Sequence, residues 1–248
     1  MRNYEIELKA RLDFIRSVLS DVRAKGIVYG NSGGKDSALV GILCKMACED
    51  TVGLIMPCGS RRNYTSDKID AEAVARQFGI AMRLVELTKV RNTLIGAVEA
   101  QTALSESAFA NIAPRLRMTA LYAVAASENR LVAGTGNRSE AYMGYFTKWG
   151  DGAFDFNPIA DLTVTEIYEF LRYLGAPDAV ISKPPSAGLF DGQTDEEEMG
   201  VTYRNIDNFL LTGKVSERNR TIIERFHESS EHKRNMPLNF RRLRNEYK

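Results

Sequence analysis

The chain has 248 residues, of which 44% are hydrophobic and 26% charged, and its formal net charge is +1. That is enough for one large domain or two small ones, each with material for a core. The near-neutral balance gives no global attraction for nucleic acid, and no apolar run approaches the roughly 20 residues of a membrane span.

Residues 4–24 carry a helical pattern with Leu8, Leu12, Ile15, Leu19 and Val22 on one stripe. The near-heptad spacing suits either a seam with a partner or packing on the chain's own sheet. The charged start, Arg2 to Glu7, has no apolar leader core, and the three cysteines fit a reducing compartment, so a cytoplasmic protein is expected. Cys44 and Cys48 lie on a predicted helix and Cys58 stands alone; with no second pair they read as buried thiols, not metal ligands.

Ile27, Val28 and Tyr29 form a short apolar strand, Gly30–Gly34 a tight turn, and a helix follows with Leu39, Ile42, Leu43 and Met46 at helical spacing. A strand, a glycine turn and a helix start make an anion site, because backbone N–H groups point outward and the helix dipole favours negative charge. Asn31 lies within the turn, Ser32 and Ser37 add hydroxyls, and Gly33 and Gly34 let the backbone approach a phosphate closely. The ordinary P-loop is excluded: its first glycine would fall at Tyr29, and Lys35 is followed by Asp36 instead of Ser or Thr. A carboxylate inside a phosphate cradle repels its ligand unless a cation lies between them. Asp36 therefore points to Mg²⁺ bridging carboxylate and phosphate oxygens. A plain turn capped by Ser32 is the bland rival.

Val52–Met56 is a second strand, ending at Pro57-Cys-Gly-Ser60. Ser66 caps a helix through Phe78, and Ile80–Leu87, with Met82 and Leu84, reads as a third strand. Strands alternating with helices predict a parallel sheet, with ligands beyond the carboxyl ends of its strands. Gly30–Ser37, Pro57–Arg62 and Leu87–Val90 would then share one rim. A short helix is expected at Leu94–Val98 and a longer one at about Ala108–Asn129, with Pro114 a candidate kink. Arg115 and Arg117, two apart on that helix, point to different faces.

Arg130–Ala133 is a fourth strand, running into a second glycine turn, Gly134-Thr-Gly-Asn-Arg-Ser-Glu140. Thr135 and Glu140 repeat the pairing of a donor with a carboxylate, which suggests one shared metal–triphosphate site; alone, Gly-Thr-Gly is equally a mere turn. Gly144–Asp155 is aromatic, glycine-rich and charged, suited to a planar ligand or to anchoring a loop through Phe146 and Trp149. Phe156–Ile159 would be a fifth strand. Thr163-Val-Thr-Glu166 is a capping box opening a helix that Gly175 and Pro177 end. Residues 181–198 have no period and read as a loop that could cover a site, with a short helix capped by Thr194. Helices are expected at Tyr203–Leu211 and Thr221–Glu231, and the basic end from His232 to Arg244 suits a solvated tail or phosphate binding.

The block Ser32-Gly-Gly-Lys-Asp-Ser37 resembles the pyrophosphate loop of the N-type ATP pyrophosphatases, which split ATP between its α- and β-phosphates and transfer AMP. Further blocks follow in order: Asn111-Ile-x-x-Arg-x-Arg-Met118, Gly134-Thr-Gly-Asn-Arg-Ser-Glu140, Gly144-Tyr-Phe-Thr-Lys148, Gly150-Asp-Gly152 with Asp155, Lys183-Pro-Pro-Ser-Ala187, Asp191-Gly-Gln-Thr-Asp195, Gly200-Val-Thr-Tyr203 and His232-Lys-Arg234. Together they resemble the ammonia-dependent NAD⁺ synthetases over nearly the whole chain. The resemblance implies a single synthetase domain over 1–248, without a glutaminase domain. Its fold would be an α/β three-layer sandwich around a mostly parallel five-stranded sheet.

It also implies a reaction: the carboxylate of deamido-NAD⁺ is adenylated by ATP, pyrophosphate leaves, and ammonia displaces AMP to give NAD⁺. By resemblance Gly30, Asn31, Ser32, Gly33, Gly34, Lys35, Asp36, Ser37, Thr135 and Ser186 hold ATP. Asp36 and Glu140 hold Mg²⁺. Arg115, Lys148, Asp155, His232 and Lys233 contact deamido-NAD⁺. Lys35 and Asp36 act at the phosphates. Ammonium needs deprotonation to become a nucleophile, so Asp151 is a candidate to take its proton, or to stabilise the incoming cation. A homodimer is implied, with deamido-NAD⁺ lying across its interface. One position departs from the pattern: many relatives carry a Lys that reaches ATP where this chain has Val164, so Val164→Lys is expected to lower the KM for ATP. The rivals are a sister enzyme that adenylates a nucleotide or a tRNA base, and a non-catalytic ATP sensor.

Overall fold

The computed structural model describes residues 2–59, 66–182 and 195–237. Among these residues the sheet has four parallel strands: β1 (Gly26–Gly30), β2 (Thr51–Ile55), β3 (Ala81–Leu84) and β4 (Arg130–Ala133), in the order β3-β2-β1-β4. Ile27 lies opposite Thr51 on one side and Leu131 on the other, so β1 is central and hydrogen-bonded along both edges. Central parallel strands are covered on both faces. Ile27 and Tyr29 enter one apolar layer and Val28 the other, as the alternation of a strand requires.

The first layer is built on α1 (Tyr4–Val22), α2 (Lys35–Ala47), α3 (Ser66–Phe78) and, later in the chain, α7 (Val164–Tyr173). Ile15, Leu39, Ile42, Leu43, Ile167 and Phe170 are fully buried there, each contributing roughly 1.5–3 kcal/mol over exposure. The α1 stripe is only partly used this way: Ile15 is buried, whereas Val22 is exposed. The opposite layer is α5 (Glu106–Glu128), with Met118, Leu121 and Ala125 against Val28, Leu54 and Val132. α4 (Thr88–Glu99) precedes α5 and begins earlier than its short apolar stretch predicts.

A helical lobe completes the chain. It comprises α6 (Arg138–Met143), the N-terminal end of α7, α9 (Asp195–Met199), α10 (Tyr203–Thr212), α11 (Glu217–Ser229) and α12 (Glu231–Arg234), whereas the short α8 (Asp178–Ile181) packs back into the first layer through Val180. Its core is Met143, Val164, Met199, Tyr203, Ile206 and Ile223. No helix among the described residues is long and apolar enough to cross a membrane.

Two expectations about strands are corrected. The fifth strand at Phe156–Ile159 is reduced to a single parallel bridge between Ala133 and Phe156. Pro158 has no N–H to extend the ladder, and Asn157 turns the chain by donating to the Gly136 carbonyl (2.8 Å) and accepting from the Ile159 amide (3.0 Å). β3 is shorter than Ile80–Leu87 and lies at the sheet edge, where Leu84 is exposed. α5 runs on through Pro114, which cannot donate to the carbonyl of Ala110.

The strand order sets the site. From β1 the chain moves outward to β2 and β3, then returns to place β4 on the other side of β1. The crevice at the carboxyl ends of β1 and β4 is the reversal point where such sheets bind ligands. Both glycine turns open into it.

Candidate active site

The turn after β1 is held by its own side chains. The buried Asn31 donates its amide to the Leu54 carbonyl (2.9 Å), and its Oδ1 accepts from the Gly33 amide (3.2 Å). Ser32 Oγ accepts from the Gly34 amide (3.3 Å), and Ser37 Oγ donates to the Gly34 carbonyl (3.0 Å). Gly33 has φ +74°, and a Cβ there would lie 2.1 Å from the Asp67 carbonyl oxygen, so the position admits only glycine. Gly34 is the N-cap of α2 and gives its first turn no side-chain cap, which leaves those amides to a ligand.

Lys35 and Asp36 open α2, with Lys35 Nζ 2.8 Å from Asp36 Oδ2 and 5.7 Å from the centre of the Tyr203 ring. Burial opposes the Lys35 charge, but Asp36 and Glu140 raise its pKa overall. From the second turn, Asn137 Nδ2 donates to Asp36 Oδ1 (3.0 Å), while Asn137 is bound to Glu140 in a reciprocal capping box. One asparagine thus ties together the two carboxylates singled out in the sequence. Burial, then the charge of Asp36, push the Glu140 carboxyl up to about 8.

Two carboxylates tied to one asparagine beside serine hydroxyls form a hard oxygen set, and a divalent cation would relieve their repulsion. Among the described residues no group of three or more His, Cys, Asp or Glu could hold a metal by itself. Mg²⁺ takes one or two carboxylates and completes its shell with water and substrate phosphates, so the fit rests on the Asp36 and Glu140 oxygens themselves.

These groups line a cavity of about 790 Å³, within the size range of small-molecule sites. Gly30, Asn31, Ser32, Gly34, Lys35, Asp36, Ser37, Thr135, Glu140, Asp151 and Lys233 all face it. Four expected contacts with deamido-NAD⁺ lie outside its lining. Arg115 Nε donates to the Lys148 carbonyl (3.3 Å), the Lys148 ammonium donates to the His232 carbonyl, and Asp155 accepts from the β4 amide of Val132 (2.7 Å). Arg117, not Arg115, faces the cavity, its Nε donating to the Met56 carbonyl (3.0 Å). Ser186 and the segment 183–194 lie outside the described residues, as do residues 60–65 of the expected rim.

The sequence motifs contain Asn137, Arg117, Asp195 and Tyr203 but assign none of them a role in the site. Asn137 had a signal, since it stands three residues before Glu140 in a capping pattern. Asp195 and Tyr203 meet only through the fold, with Tyr203 Oη 3.1 Å from Asp195 Oδ2.

Val164 is 3% exposed and packs with Met143, Met199 and Tyr203. A lysine there would bring an ammonium into an apolar cluster. Val164→Lys is therefore expected to lower the melting temperature by roughly 5–15 °C, since an unpaired buried charge costs several kcal/mol and each is worth about 2–4 °C at this length. A thermal melt checks this; an unchanged melting temperature with a lower KM for ATP would instead uphold the expectation from sequence.

A profile of the family described as NAD synthase matches residues 7–237. The chain belongs to the NAD synthase family. The NH(3)-dependent NAD(+) synthetase of Carboxydothermus hydrogenoformans is 45% identical, over 95% of this chain and 97% of its own length. The protein of the same name from Archaeoglobus fulgidus is 43% identical, over 95% and 96%. Among solved structures, the NMN synthetase of Francisella tularensis superposes with a TM-score of 0.91 at 35% identity, covering 96% of this chain and 99% of that one. The NH3-dependent NAD synthetase of Campylobacter jejuni gives a TM-score of 0.78 at 28% identity, covering 97% and 100%.

Proposed function

We propose that the protein is an ammonia-dependent NAD⁺ synthetase, a ligase that amidates deamido-NAD⁺ using ATP. The observation that carries this reading is the Asp36–Asn137–Glu140 junction at the reversal point of the sheet. It joins an uncapped helix start, suited to phosphates, to a pair of carboxylates suited to a cation.

A carboxylate is a poor acyl donor because its leaving group would be oxide. Its oxygen attacks the α-phosphorus of ATP, the bond to the bridging oxygen breaks, and pyrophosphate leaves. The turn Gly30–Ser37 holds that pyrophosphate through backbone amides and hydroxyls, with Lys35 adding charge. Asp36 and Glu140 would hold Mg²⁺, which when bound neutralises charge developing on the phosphates. Ammonia then attacks the acyl carbon and AMP departs. Ammonium must first lose a proton, and Asp151, open to the cavity, is the assigned acceptor. Arg115, Lys148 and His232 lie together outside the cavity lining, which supports a dinucleotide extending beyond it to a second subunit. A sedimenting, fully active monomer would count against that homodimer.

A second reading has one observation in its favour. The structure with a TM-score of 0.91 is of an NMN synthetase, so the mononucleotide that carries the same nicotinate carboxylate is a competing substrate. One experiment serves both readings: ATP, Mg²⁺ and ammonium with either acid, scored for the amide, AMP and pyrophosphate. A kcat/KM at least about tenfold higher for deamido-NAD⁺, worth 1.36 kcal/mol of transition-state binding, is expected. The reverse order would establish the mononucleotide, and ATP binding without AMP release would remove both.

A further inference from the structure

Near Asp151, two charged side chains grip one peptide from opposite ends. Lys233 Nζ donates to the Phe146 carbonyl (2.9 Å) and to the Gly144 carbonyl (2.8 Å). The Thr147 amide, which belongs to the same peptide group as the Phe146 carbonyl, donates to Asp151 Oδ1 (3.0 Å). The cation draws on the oxygen of that peptide and the carboxylate on its hydrogen. Both pulls lie along the peptide dipole, so each bond strengthens the other. Lys233 and Asp151 both face the cavity.

We propose that Lys233 is a positioning residue for Asp151, aiming and stabilising its carboxylate through the Phe146–Thr147 peptide so that it can accept a proton from ammonium. This rests on the assignment of Asp151 above. In that step an N–H bond of ammonium breaks, the proton joins an Asp151 oxygen, and the freed lone pair of ammonia forms the amide bond. As the C–O bond to AMP breaks, the nitrogen sheds a second proton to water, and Asp151 then returns its own to water.

The electrostatics agree with the geometry. Enclosure by protein raises the Asp151 pKa, and the Thr147 amide, its own amide, Lys233 and Arg117 oppose that rise. Arg117 faces Asp151 from α5, and Lys233 from α12. Lys233 is itself lowered by burial and by Arg234 and raised by Asp151. Lys233 is also shared with the Phe146 ring, 5.6 Å from its centre, which fixes the ammonium over the turn. With two of its three N–H groups committed to carbonyls, the residue serves the protein's turn at least as much as a ligand.

Lys233→Gln keeps a donor for the Phe146 carbonyl and removes the charge. It is expected to move the Asp151 titration, followed by carboxyl ¹³C NMR and assigned by its loss in Asp151→Asn, up by about one pH unit. The acidic limb of kcat at saturating ammonium and dinucleotide should move with it, and Lys233→Arg should restore both. In the unsubstituted protein, the ¹⁵N shifts of Lys233 Nζ and the Thr147 amide should follow the Asp151 titration, a readout that holds even if Lys233→Gln does not fold. An Asp151 titration unmoved in folded Lys233→Gln, or Lys233 and Thr147 shifts that ignore it, would overturn the proposal. If Asp151→Asn instead keeps the acidic limb while the NMR coupling is present, the role of Asp151 as proton acceptor fails and the Lys233 coupling stands.

Discussion

Asp36→Asn is expected to lower kcat for adenylation by about 10²- to 10³-fold at saturating ATP, while the protein stays folded. A cation on the transferring phosphates is worth several kcal/mol, and each 1.36 kcal/mol is a factor of ten. The substitution keeps an oxygen that can accept from Asn137 Nδ2, so the junction between the two turns survives. It removes the negative charge that faces Lys35 Nζ at 2.8 Å and leaves Glu140 as the one carboxylate of the pair. The Mg²⁺ concentration for half-maximal rate should therefore rise. ATP–pyrophosphate exchange measured across a Mg²⁺ series checks both points. Wild-type exchange at wild-type Mg²⁺ would remove Asp36 from the phosphate chemistry. Asn137→Ala tests the junction separately and should cost less, about 10- to 100-fold, because it disturbs the orientation of the carboxylates and not their charge.

The elements that place this site were legible because they rest on local rules. Ile27–Tyr29 is apolar without interruption, as a strand buried on both faces must be, and the glycines and serines after it admit few conformations other than a turn. The reciprocal cap between Thr163 and Glu166 is present as expected. The misses have physical causes. Phe156–Ile159 has the composition of a strand, but Pro158 and the Asn157 side chain withdraw it from the ladder. The α1 stripe looks like a single buried face, yet the helix lies at the margin of the core and leaves Val22 in solvent. Spacing told Arg115 and Arg117 apart without saying which would turn inward, since that depends on how α5 is rotated against β1 and β4. Val164 was read by its position in a motif, whereas its burial depends on Met143, Met199 and Tyr203 arriving from distant parts of the chain.

Gly33→Ala should lower the rate of adenylation by more than about 10²-fold while leaving the sheet intact. The reason is internal to the protein. At φ +74° an L-residue is strained by about 1–2 kcal/mol, and the new methyl would stand 2.1 Å from the Asp67 carbonyl, a backbone atom that cannot rotate away. The turn and the start of α3 must separate, which pulls the Gly33 amide from Asn31 and shifts the uncapped start of α2 that faces the phosphates. A displacement of about 1 Å at a catalytic centre costs on the order of 10² in rate, and strain and lost pyrophosphate contacts add to it. The melting temperature should fall by only a few degrees, roughly 2–4 °C per kcal/mol. Gly34→Ala is the control. Gly34 has an ordinary φ of −87°, and among the described residues its Cβ would meet only Ser32 Oγ, at 3.3 Å. If Gly34→Ala retains at least about a tenth of the activity, a loss of no more than 1.36 kcal/mol, the glycine requirement of this loop is set by Asp67 and the fold. If it is as inactive as Gly33→Ala, then the bound phosphate, approaching closer than a methyl allows, sets the requirement at that position.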